Sequence, residues 1–318
     1  MEFVMSKTAL LAGLAALMFA GSAMAADAPE KKKKKKVAAP APIVEPASDF
    51  DFAFGAAVKS RYLSRGISNS ALDPAANVYG EVRYKEIFYT NVTYNTNKLA
   101  VKSNGEVDIS VGARPVIGAL TTDIGAMYYW YPGSHAQTYT SGGNFTLTGY
   151  TPSPMVINTG DPITILPGNI NYFEAYIKPS YAVTDKITLG GNVFYGPSLN
   201  NNGAWESYVS GTFKVTLPHD FAVSGEFGRQ FLGTTKAQYG SVKLPEYNTW
   251  NVGLTYTYKQ ASLDLRYSGT DLSKTDCGVL TSDPKAITSG TGRSKWCGNT
   301  FLATLAVDFV YSELKKKD

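Results

Sequence analysis

The sequence is poor in the residue types on which most catalytic and metal sites depend. Only two histidines and two cysteines occur among 318 residues, and no CxxC motif is present, so redox and metal-cluster chemistry have little support. Beyond the N-terminal segment, no stretch approaches the roughly 20 continuous apolar residues that a membrane-spanning helix needs. The sequence therefore predicts no cofactor, no metal site and no helical membrane anchor.

Positive and negative charges are also balanced over most of the chain. The net charge is +4, but the basic excess lies at residues 31–36 and 315–317. Between Ser48 and Ser312 there are 20 Lys and Arg against 20 Asp and Glu. A neutral main segment gives no electrostatic support for nucleic-acid binding, and we expect none.

The N-terminus has the features of a secretion signal. Lys7 precedes an apolar run over residues 8–20, and the Ala-x-Ala ending at Ala25 fits cleavage after that residue. The run is too short to span a bilayer as a helix. We therefore expect residues 1–25 to be a signal peptide that is removed on export to the Gram-negative envelope.

Residues 26–47 have a different composition. The consecutive lysines from Lys31 to Lys36 repel one another, and Pro40, Pro42 and Pro46 favour an extended backbone. We expect a disordered periplasmic arm, and a second lysine-rich tail over residues 313–318. Two interpretations of the arm stay open: a solvated spacer, which we prefer, or an electrostatic tether to an anionic envelope component.

From Phe50 onward, apolar and polar side chains alternate almost to the C-terminus. The alternation is clearest over residues 300–312, where Phe301, Leu305 and Phe309 share an apolar face and Asp308 lies on the other face. A period of two predicts a β-strand, because successive side chains point to opposite faces. The pattern predicts twelve strands, at residues 50–59, 78–84, 87–95, 107–114, 121–131, 173–181, 187–195, 205–217, 221–227, 250–258, 262–267 and 300–312.

The connections between these strands alternate in length. Short turns are predicted at residues 86, 115–119, 184–185, 218–220 and 259–260, and longer connections at 65–74, 97–103, 132–170, 197–203, 232–246 and 271–299. An even strand number with short turns on one rim and long loops on the other is typical of outer-membrane barrels. A soluble β-sandwich is disfavoured because its end strands would need protected edges. We predict an all-β fold, a 12-stranded antiparallel transmembrane β-barrel over residues 48–312, with short periplasmic turns and long extracellular loops.

Closure of such a barrel requires the last strand to pair with the first, which we expect over residues 50–62. The apolar face of each strand is then predicted to contact lipid. Aromatic residues near the strand ends fit two interfacial girdles. Those toward the long loops are Tyr62, Tyr94, Trp130, Tyr195, Trp205 and Trp250, and those toward the turns are Tyr84, Phe88, Tyr181, Phe221, Tyr256 and Tyr258.

The polar faces carry charges of both signs in mid-strand, where a barrel has its lumen. Arg61, Arg65 and Asp73 lie in or near the first long connection and are predicted as charges at the pore mouth. A structural, salt-bridged turn is the alternative for these three. The near balance of signs predicts weak charge selectivity. The remaining pore and lumen candidates are Lys59, Glu81, Arg83, Asp108, Arg114, Glu174, Lys178, Glu206, Lys214, Glu226, Asp264, Arg266 and Asp308.

Cys277 and Cys297 lie in the last long connection, which is rich in Gly, Ser, Thr and Asp. In an oxidising compartment we expect one disulfide that pins this loop, with a stabilisation of about 3 kcal/mol from loop entropy. Two free thiols are the alternative.

Several segments also resemble a known family. They are SRYLSRGISNS at residues 60–70, MYYWYPG at 127–133, YFEAY at 172–176, and WCG at 296–298 followed by the final strand. Together they resemble the TorF-like family of outer-membrane porins over most of residues 50–312, and Arg-Gly-Ile-Ser at 65–68 is the most specific element. The resemblance implies an outer-membrane location and a channel role, without an established ligand. The chain departs from the family in its arm, in an insert at 134–169 and in its tail.

A passive outer-membrane channel for small polar solutes is the function that we expect. A plugged structural or adhesive barrel, acting through its loops or arm, is the alternative, because twelve strands are intermediate between filled and open barrels and an inward fold of loop 132–170 or 271–299 would close the lumen. An enzyme is disfavoured: His219 lies in a turn, and His135 has no nucleophile-elbow sequence around it. Expected partners are outer-membrane lipid, small polar solutes and the barrel-assembly machinery, which would recognise the aromatic ending at Phe309 and Tyr311.

Overall fold

The computed structural model of the chain describes residues 49–315. The predicted signal peptide, the lysine-rich arm and residues 316–318 of the tail lie outside the described residues. Twelve long strands form the body of the molecule. They are β1 (Phe50–Lys59), β2 (Ala75–Tyr84), β3 (Phe88–Asn95), β4 (Glu106–Ala113), β5 (Leu120–Trp130), β6 (Tyr172–Ala182), β7 (Ile187–Gly196), β8 (Glu206–Thr216), β9 (Phe221–Leu232), β10 (Tyr247–Tyr258), β11 (Ala261–Thr270) and β12 (Thr300–Val310).

These strands form one closed sheet in which every strand pairs antiparallel with its neighbours in sequence. β5 and β6 pair from Tyr129↔Tyr172 to Leu120↔Tyr181 despite the long connection between them. The ring closes where β1 pairs with β12, in a register that includes Lys59↔Thr304. The predicted 12-stranded antiparallel barrel, with its first and last strands adjacent, is therefore confirmed.

Several strands are longer than the hydrophobic alternation predicted. β2 begins at Ala75, β9 extends to Leu232 and β10 begins at Tyr247. Apart from Phe231, Leu232 and Tyr247, their added residues are small or polar, so backbone pairing continues where the apolar alternation has weakened. β1 ends at Lys59, as the alternation predicted but short of the closing segment expected over residues 50–62, and β12 is shorter than predicted because it ends at Val310.

The outside of the barrel is apolar and exposed, whereas the inward side chains are mostly buried and polar. Val58 on β1 and Leu305 on β12 are 58% and 52% exposed, while Asp264 on β11 and Glu174 on β6 are fully buried. This is the reverse of a water-soluble protein and suits a lipid solvent. One girdle prediction is wrong: the Tyr62 hydroxyl donates a hydrogen bond inward to the Glu106 carboxylate.

Tight turns join the strands on one rim. Lys85 and Glu86 have φ angles of 51° and 56°, and His219 and Asp220 have φ angles of 61° and 62°. Two successive left-handed residues give the backbone twist that a short hairpin requires. The five predicted short turns therefore lie on the same rim.

The opposite rim carries long connections, which we call the loop cap: residues 60–74, 96–105, 131–171, 197–205, 233–246 and 271–299. Short ribbons form within it, pairing Leu63–Ser64 with Ile67–Ser68, Gln137–Thr140 with Pro162–Ile165, and Phe145–Leu147 with Met155–Ile157. The cap also contains α1 (Lys274–Thr281), α2 (Pro284–Thr288) and two 3₁₀ turns, Leu199–Asn201 and Ala237–Tyr239. On the other rim, Val116–Ile117 extends β5 in a short ribbon, and α3 (Tyr311–Lys315) follows β12. No helix among residues 49–315 is long and apolar enough to cross a membrane.

Two apolar clusters stabilise the loop cap. Leu232, Val242, Leu244 and Tyr247 are buried together near the end of β9. Val101, Tyr131 and Ile170 are buried together between the second and third long connections. The apolar core of this protein therefore lies in the cap, above a polar barrel interior.

Candidate functional site

Tyrosine side chains fill much of the barrel interior, and glycines on neighbouring strands leave room for them. A Cβ added to Gly112 on β4 would lie 2.7 Å from the hydroxyl oxygen of Tyr89. A Cβ added to Gly125 on β5 would lie 2.6 Å from that of Tyr176. Because an L side chain at either glycine would displace a ring, these glycines set the position of the lumen tyrosines.

A charge network lies in the half of the lumen nearest the short turns, on β2 and the strands that follow it. Both Nη atoms of Arg114 hydrogen-bond to the Glu81 carboxylate, each at 2.8 Å. Nε of Arg83 reaches the same carboxylate at 2.6 Å. All three side chains are almost completely buried. We call this group, with the two residues added below, the turn-side network.

Asp123 on β5 extends the turn-side network. Its Oδ2 lies 3.4 Å from Nζ of Lys178 and 3.6 Å from Nε of Arg114, and its Oδ1 accepts a 2.7 Å hydrogen bond from the Tyr89 hydroxyl. The Arg114 guanidinium also stacks 3.7 Å above the Tyr89 ring. The network joins three cations to two carboxylates and is dense and net positive, although Nε of Arg114 and Oδ2 of Asp123 make ion-pair contacts without a hydrogen bond.

A smaller group of charged and polar side chains lies on β9, β10 and β11, on another part of the barrel wall. Arg266 on β11 donates to both oxygens of Asp264, at 3.0 and 2.9 Å. It also donates to Oδ1 of Asn251 at 2.6 Å and to Oγ of Ser224 at 2.8 Å. A Cβ added to Gly253 would lie 2.8 Å from the guanidinium carbon. The planar guanidinium of Arg266 therefore packs against the backbone of Gly253, and its hydrogen bonds link β9, β10 and β11.

Nearer the loop cap, the connection between β1 and β2 folds into the barrel. We call residues 60–74 the inward loop. From it, Nη2 of Arg65 donates to both oxygens of Glu174, at 2.6 and 2.8 Å. Nη1 donates to Oε2 of Glu206 at 3.0 Å and to Oε1 of Gln230 at 3.2 Å. These partners lie on β6, β8 and β9, the side of the twelve-strand ring opposite β1 and β2. Arg65 therefore crosses the lumen.

The inward loop is held by close contacts with the wall and with the last long connection. Gly66 has a φ of 78°, and a Cβ there would lie 2.9 Å from Oγ1 of Thr249. The Ser68 amide donates to the Trp296 carbonyl at 2.9 Å. Only glycine meets the φ and space requirements at residue 66 without strain, which explains the Arg-Gly pair at this point.

The expected disulfide is present next to this contact. Cys277 and Cys297 are bonded and are buried with Trp296, against Leu72 of the inward loop. The disulfide therefore holds the last long connection, as predicted, and also supports the inward loop that packs against it.

The structure does not bring Arg61, Arg65 and Asp73 together as a mouth cluster. Arg61 donates to Oγ1 of Thr300. Asp73 is exposed and pairs with Nζ of Lys98 at 2.7 Å; the hydrogen bond and the positive charge of Lys98 lower the pKa of the Asp73 carboxyl. Of these three residues, Arg65 is the one whose side chain reaches across the lumen, and the connections 132–170 and 271–299 contribute to the loop cap.

The other lumen candidates lie on the inner face in partly buried positions. Asp308 on β12 accepts a 2.8 Å hydrogen bond from the Tyr79 hydroxyl. Glu226 on β9 accepts from Tyr208 at 3.0 Å and from Asn192 at 3.1 Å. Asp108 accepts from Asn95 at 2.9 Å. Lys59 and Lys214 are half-buried on β1 and β8.

Sequence reasoning missed two fully buried carboxylates, Asp123 and Glu106. Asp123 lies on the polar face of β5, opposite Ile124, so the same alternation identifies it. Glu106 was missed because the predicted strand began one residue later, although it shares the face of Asp108. Among residues 49–315, no group of three or more His, Cys, Asp or Glu side chains is arranged to hold a metal ion.

A family model matches most of the chain. Residues 43–291 match the model of a family described as bacterial protein of unknown function (Gcw_chp). No curated protein matches the chain. None of these matches is to the TorF-like family, so that resemblance stays a prediction.

Solved structures similar to this chain include two porins and a channel. The NanC porin is 11% identical, with a TM-score of 0.44, over 81% of this chain and 98% of that one. The KdgM porin with disordered oligogalacturonate is 9% identical, with a TM-score of 0.41, over 82% and 98%. The CymD monoaromatic hydrocarbon channel is 10% identical, with a TM-score of 0.36, over 82% and 88%. At these identities and TM-scores the likeness supports no conclusion about function.

Proposed function

This chain belongs to the Gcw_chp family of bacterial proteins, and we propose that it is an outer-membrane channel for passive diffusion of small polar solutes. The observation that carries the proposal is the combination of an apolar, exposed barrel surface with a charged, hydrogen-bonded interior. Buried ion pairs stabilise a protein less than well-packed apolar side chains of similar volume. A barrel that served only as an anchor would gain more stability from an apolar filling.

The lumen charges support weak selectivity between cations and anions. Basic and acidic side chains nearly balance and are distributed around the wall rather than segregated at one constriction. The eight basic residues are Lys59, Arg61, Arg65, Arg83, Arg114, Lys178, Lys214 and Arg266, and the nine acidic residues are Glu81, Glu106, Asp108, Asp123, Glu174, Glu206, Glu226, Asp264 and Asp308.

The position of Arg65 supports a narrow channel rather than a wide one. Its side chain joins the inward loop to Glu174 and Glu206 across the lumen. A twelve-strand barrel already has limited interior room. The solutes would therefore be small.

A plugged structural or adhesive barrel is the second candidate, and the loop cap favours it. The cap has its own apolar clusters, and Arg65 is fully engaged by acceptors on the far wall. A lumen closed permanently by these elements would leave the cap and the basic arm as the functional parts.

Conductance of the purified, heat-modifiable protein in planar lipid bilayers decides between the two. Discrete, ohmic single-channel steps are expected, and reversal potentials in a salt gradient should give a permeability ratio near one. Folded protein without channel activity would reject the channel and favour the plugged barrel. A strong preference for either ion sign, about tenfold or more, would contradict the balanced lumen.

The cellular context is proposed on sequence grounds. The chain is exported, cleaved after Ala25 and inserted by the barrel-assembly machinery, and lysines Lys31 to Lys36 remain periplasmic. N-terminal sequencing of the mature outer-membrane protein tests this, and a mature chain beginning at Ala26 is expected. Recovery of the chain with residues 8–20 still attached would contradict it.

A further inference from the structure

A cavity of about 450 Å³ lies within the loop cap. It lies on the cap side of Arg65, which lines it together with Glu206 and Gln230. Its volume is within the range of small-molecule sites, which are about 300–1,000 Å³. Residues from the inward loop and from the later long connections contribute to it, so the cap forms it as one assembly.

The lining of this cavity combines apolar side chains and aromatic rings with polar side chains. Leu244 and Tyr247 contribute from the fifth long connection and β10, and Phe145 and Met155 from the hairpin in the third. Tyr172 and Trp296 add further rings. Apolar and aromatic surface interrupted by polar groups that fix orientation is a usual composition of a site for a small organic molecule.

Acidic side chains outnumber basic ones in the lining of the cavity. Among the described residues, its charged lining consists of Arg65, Glu206 and Asp283. The Asp283 carboxylate is occupied by Ser294 and by the Lys285 amide, and Arg65 is shared between Glu174 and Glu206. The Arg65 group therefore holds two acidic side chains against one basic side chain, which disfavours a further carboxylate.

One acceptor in this group has no donor among the described residues. Oε1 of Glu206 is buried without a hydrogen bond, while Oε2 accepts from Arg65 and from Gln230. A buried carboxylate oxygen without a donor is costly. Glu206 also lines the cavity, so a hydroxyl or amino group bound there can supply the missing donor.

We propose that this cavity binds a small organic molecule with an apolar, preferably aromatic, body and one hydrogen-bond donor head, an alcohol or an amine, and that it rejects the matched carboxylate. The donor head binds beside Glu206, and the body packs among the rings of the cap. The proposal does not rest on the channel function, because binding to the cap needs no conduction.

Three probes of similar size test the head group: 2-phenylethanol, phenethylamine and 3-phenylpropionate. Each is titrated calorimetrically into the full chain in lipid nanodiscs, with empty nanodiscs as the blank for partitioning. The alcohol and the amine are expected to bind at least about tenfold more tightly than the carboxylate, which corresponds to one unmatched charge or donor. Equal or tighter binding of the carboxylate, or no saturable binding of the two donors, would overturn the proposal.

Two neighbouring residues give a matched test of the position. Met155 lines the cavity, whereas Val156 on the same strand is 64% exposed and is not part of the lining. Met155→Trp should weaken binding of the alcohol at least about tenfold by filling the cavity, and Val156→Trp should leave it unchanged. Leu147→Trp, from the strand paired with Met155, replaces Met155→Trp if that variant does not fold.

Glu206→Gln tests the acceptor. The variant should still bind the apolar body, but the ratio between alcohol and carboxylate binding should fall to about threefold or less because one of the two acidic side chains is removed. A ratio that stays at its original value would show that Glu206 does not select the head group. Equal loss of binding in Met155→Trp and Val156→Trp would place the ligand elsewhere.

Discussion

Arg65 and Glu174 form a two-point contact across the barrel, with Nη2 of the arginine 2.6 and 2.8 Å from the two carboxylate oxygens. The arginine comes from the connection between β1 and β2, and the glutamate lies on β6. The ring of Phe194 lies 4.9 Å from the guanidinium carbon and the ring of Tyr208 lies 5.0 Å from it. Such a contact fixes the inward loop against the far wall, because ion pair, hydrogen bonds and ring stacking all favour one geometry.

Removal of this contact should widen the lumen. Arg65→Ala is expected to raise single-channel conductance severalfold and to shift selectivity toward cations, because Glu174 and Glu206 lose their cation. The variant should also be less stable, by about 3–5 kcal/mol, since a buried partner is left unpaired.

Arg229→Ala is the matched control for this prediction. Arg229 also pairs with a glutamate, Glu246, at 3.3 Å, but its side chain is 46% exposed and lies outside the lumen. The single-channel conductance of the Arg229→Ala variant should equal that of the parent protein. Unchanged conductance in folded Arg65→Ala would show that the inward loop does not limit passage.

The disulfide should stabilise both the cap and the inward loop. The Cys277–Cys297 pair spans 20 residues, so replacement of both cysteines by serine is expected to cost about 3 kcal/mol through the unfolded state. Because Trp296 contacts the inward loop through Ser68, the variant should also show noisier open-channel current. Denaturant unfolding and bilayer recordings measure the two effects, and a variant as stable and as quiet as the parent would contradict the bracing role.

The barrel itself was predictable from sequence because alternation reports a local property. The face on which Leu305 or Asp308 lies depends only on strand parity, and the lipid and lumen faces follow from it. The ends of β9 and β10 were less predictable, since a ladder can continue through residues such as Gly228 and Asn248 that carry no apolar signal.

The inward loop was not predictable by the same reasoning. Arg65 contacts Glu174, Glu206 and Gln230, which are 109, 141 and 165 residues away. These contacts arise because barrel closure places β6, β8 and β9 opposite the start of β2. The alternation within a single strand gives no information on contacts that cross the lumen between distant strands.

The turn-side network should depend strongly on one carboxylate. Glu81 accepts hydrogen bonds from Arg114 and Arg83, so Glu81→Gln leaves two buried guanidinium groups without their common anion. The expected loss is on the order of 3 kcal/mol in the free energy of unfolding, with a shift toward anion selectivity. Glu246→Gln, in a more exposed pair with Arg229 and Lys243, should change stability by about 0.5 kcal/mol or less.

The orientation of the barrel toward lipid makes a separate prediction that depends on depth. Leu305 lies at the middle of β12 and is 52% exposed, whereas Tyr258 ends β10 at the short-turn rim and is 60% exposed. In a bilayer, Leu305→Arg places a charge in hydrocarbon and should cost on the order of 3 kcal/mol, while Tyr258→Arg lies at the interface and should cost about 1 kcal/mol or less. Reversible denaturant unfolding in phospholipid vesicles measures both values. In a water-soluble protein neither exposed position would resist arginine, so equal, small effects at the two sites would contradict the lipid-facing surface and, with it, the membrane barrel.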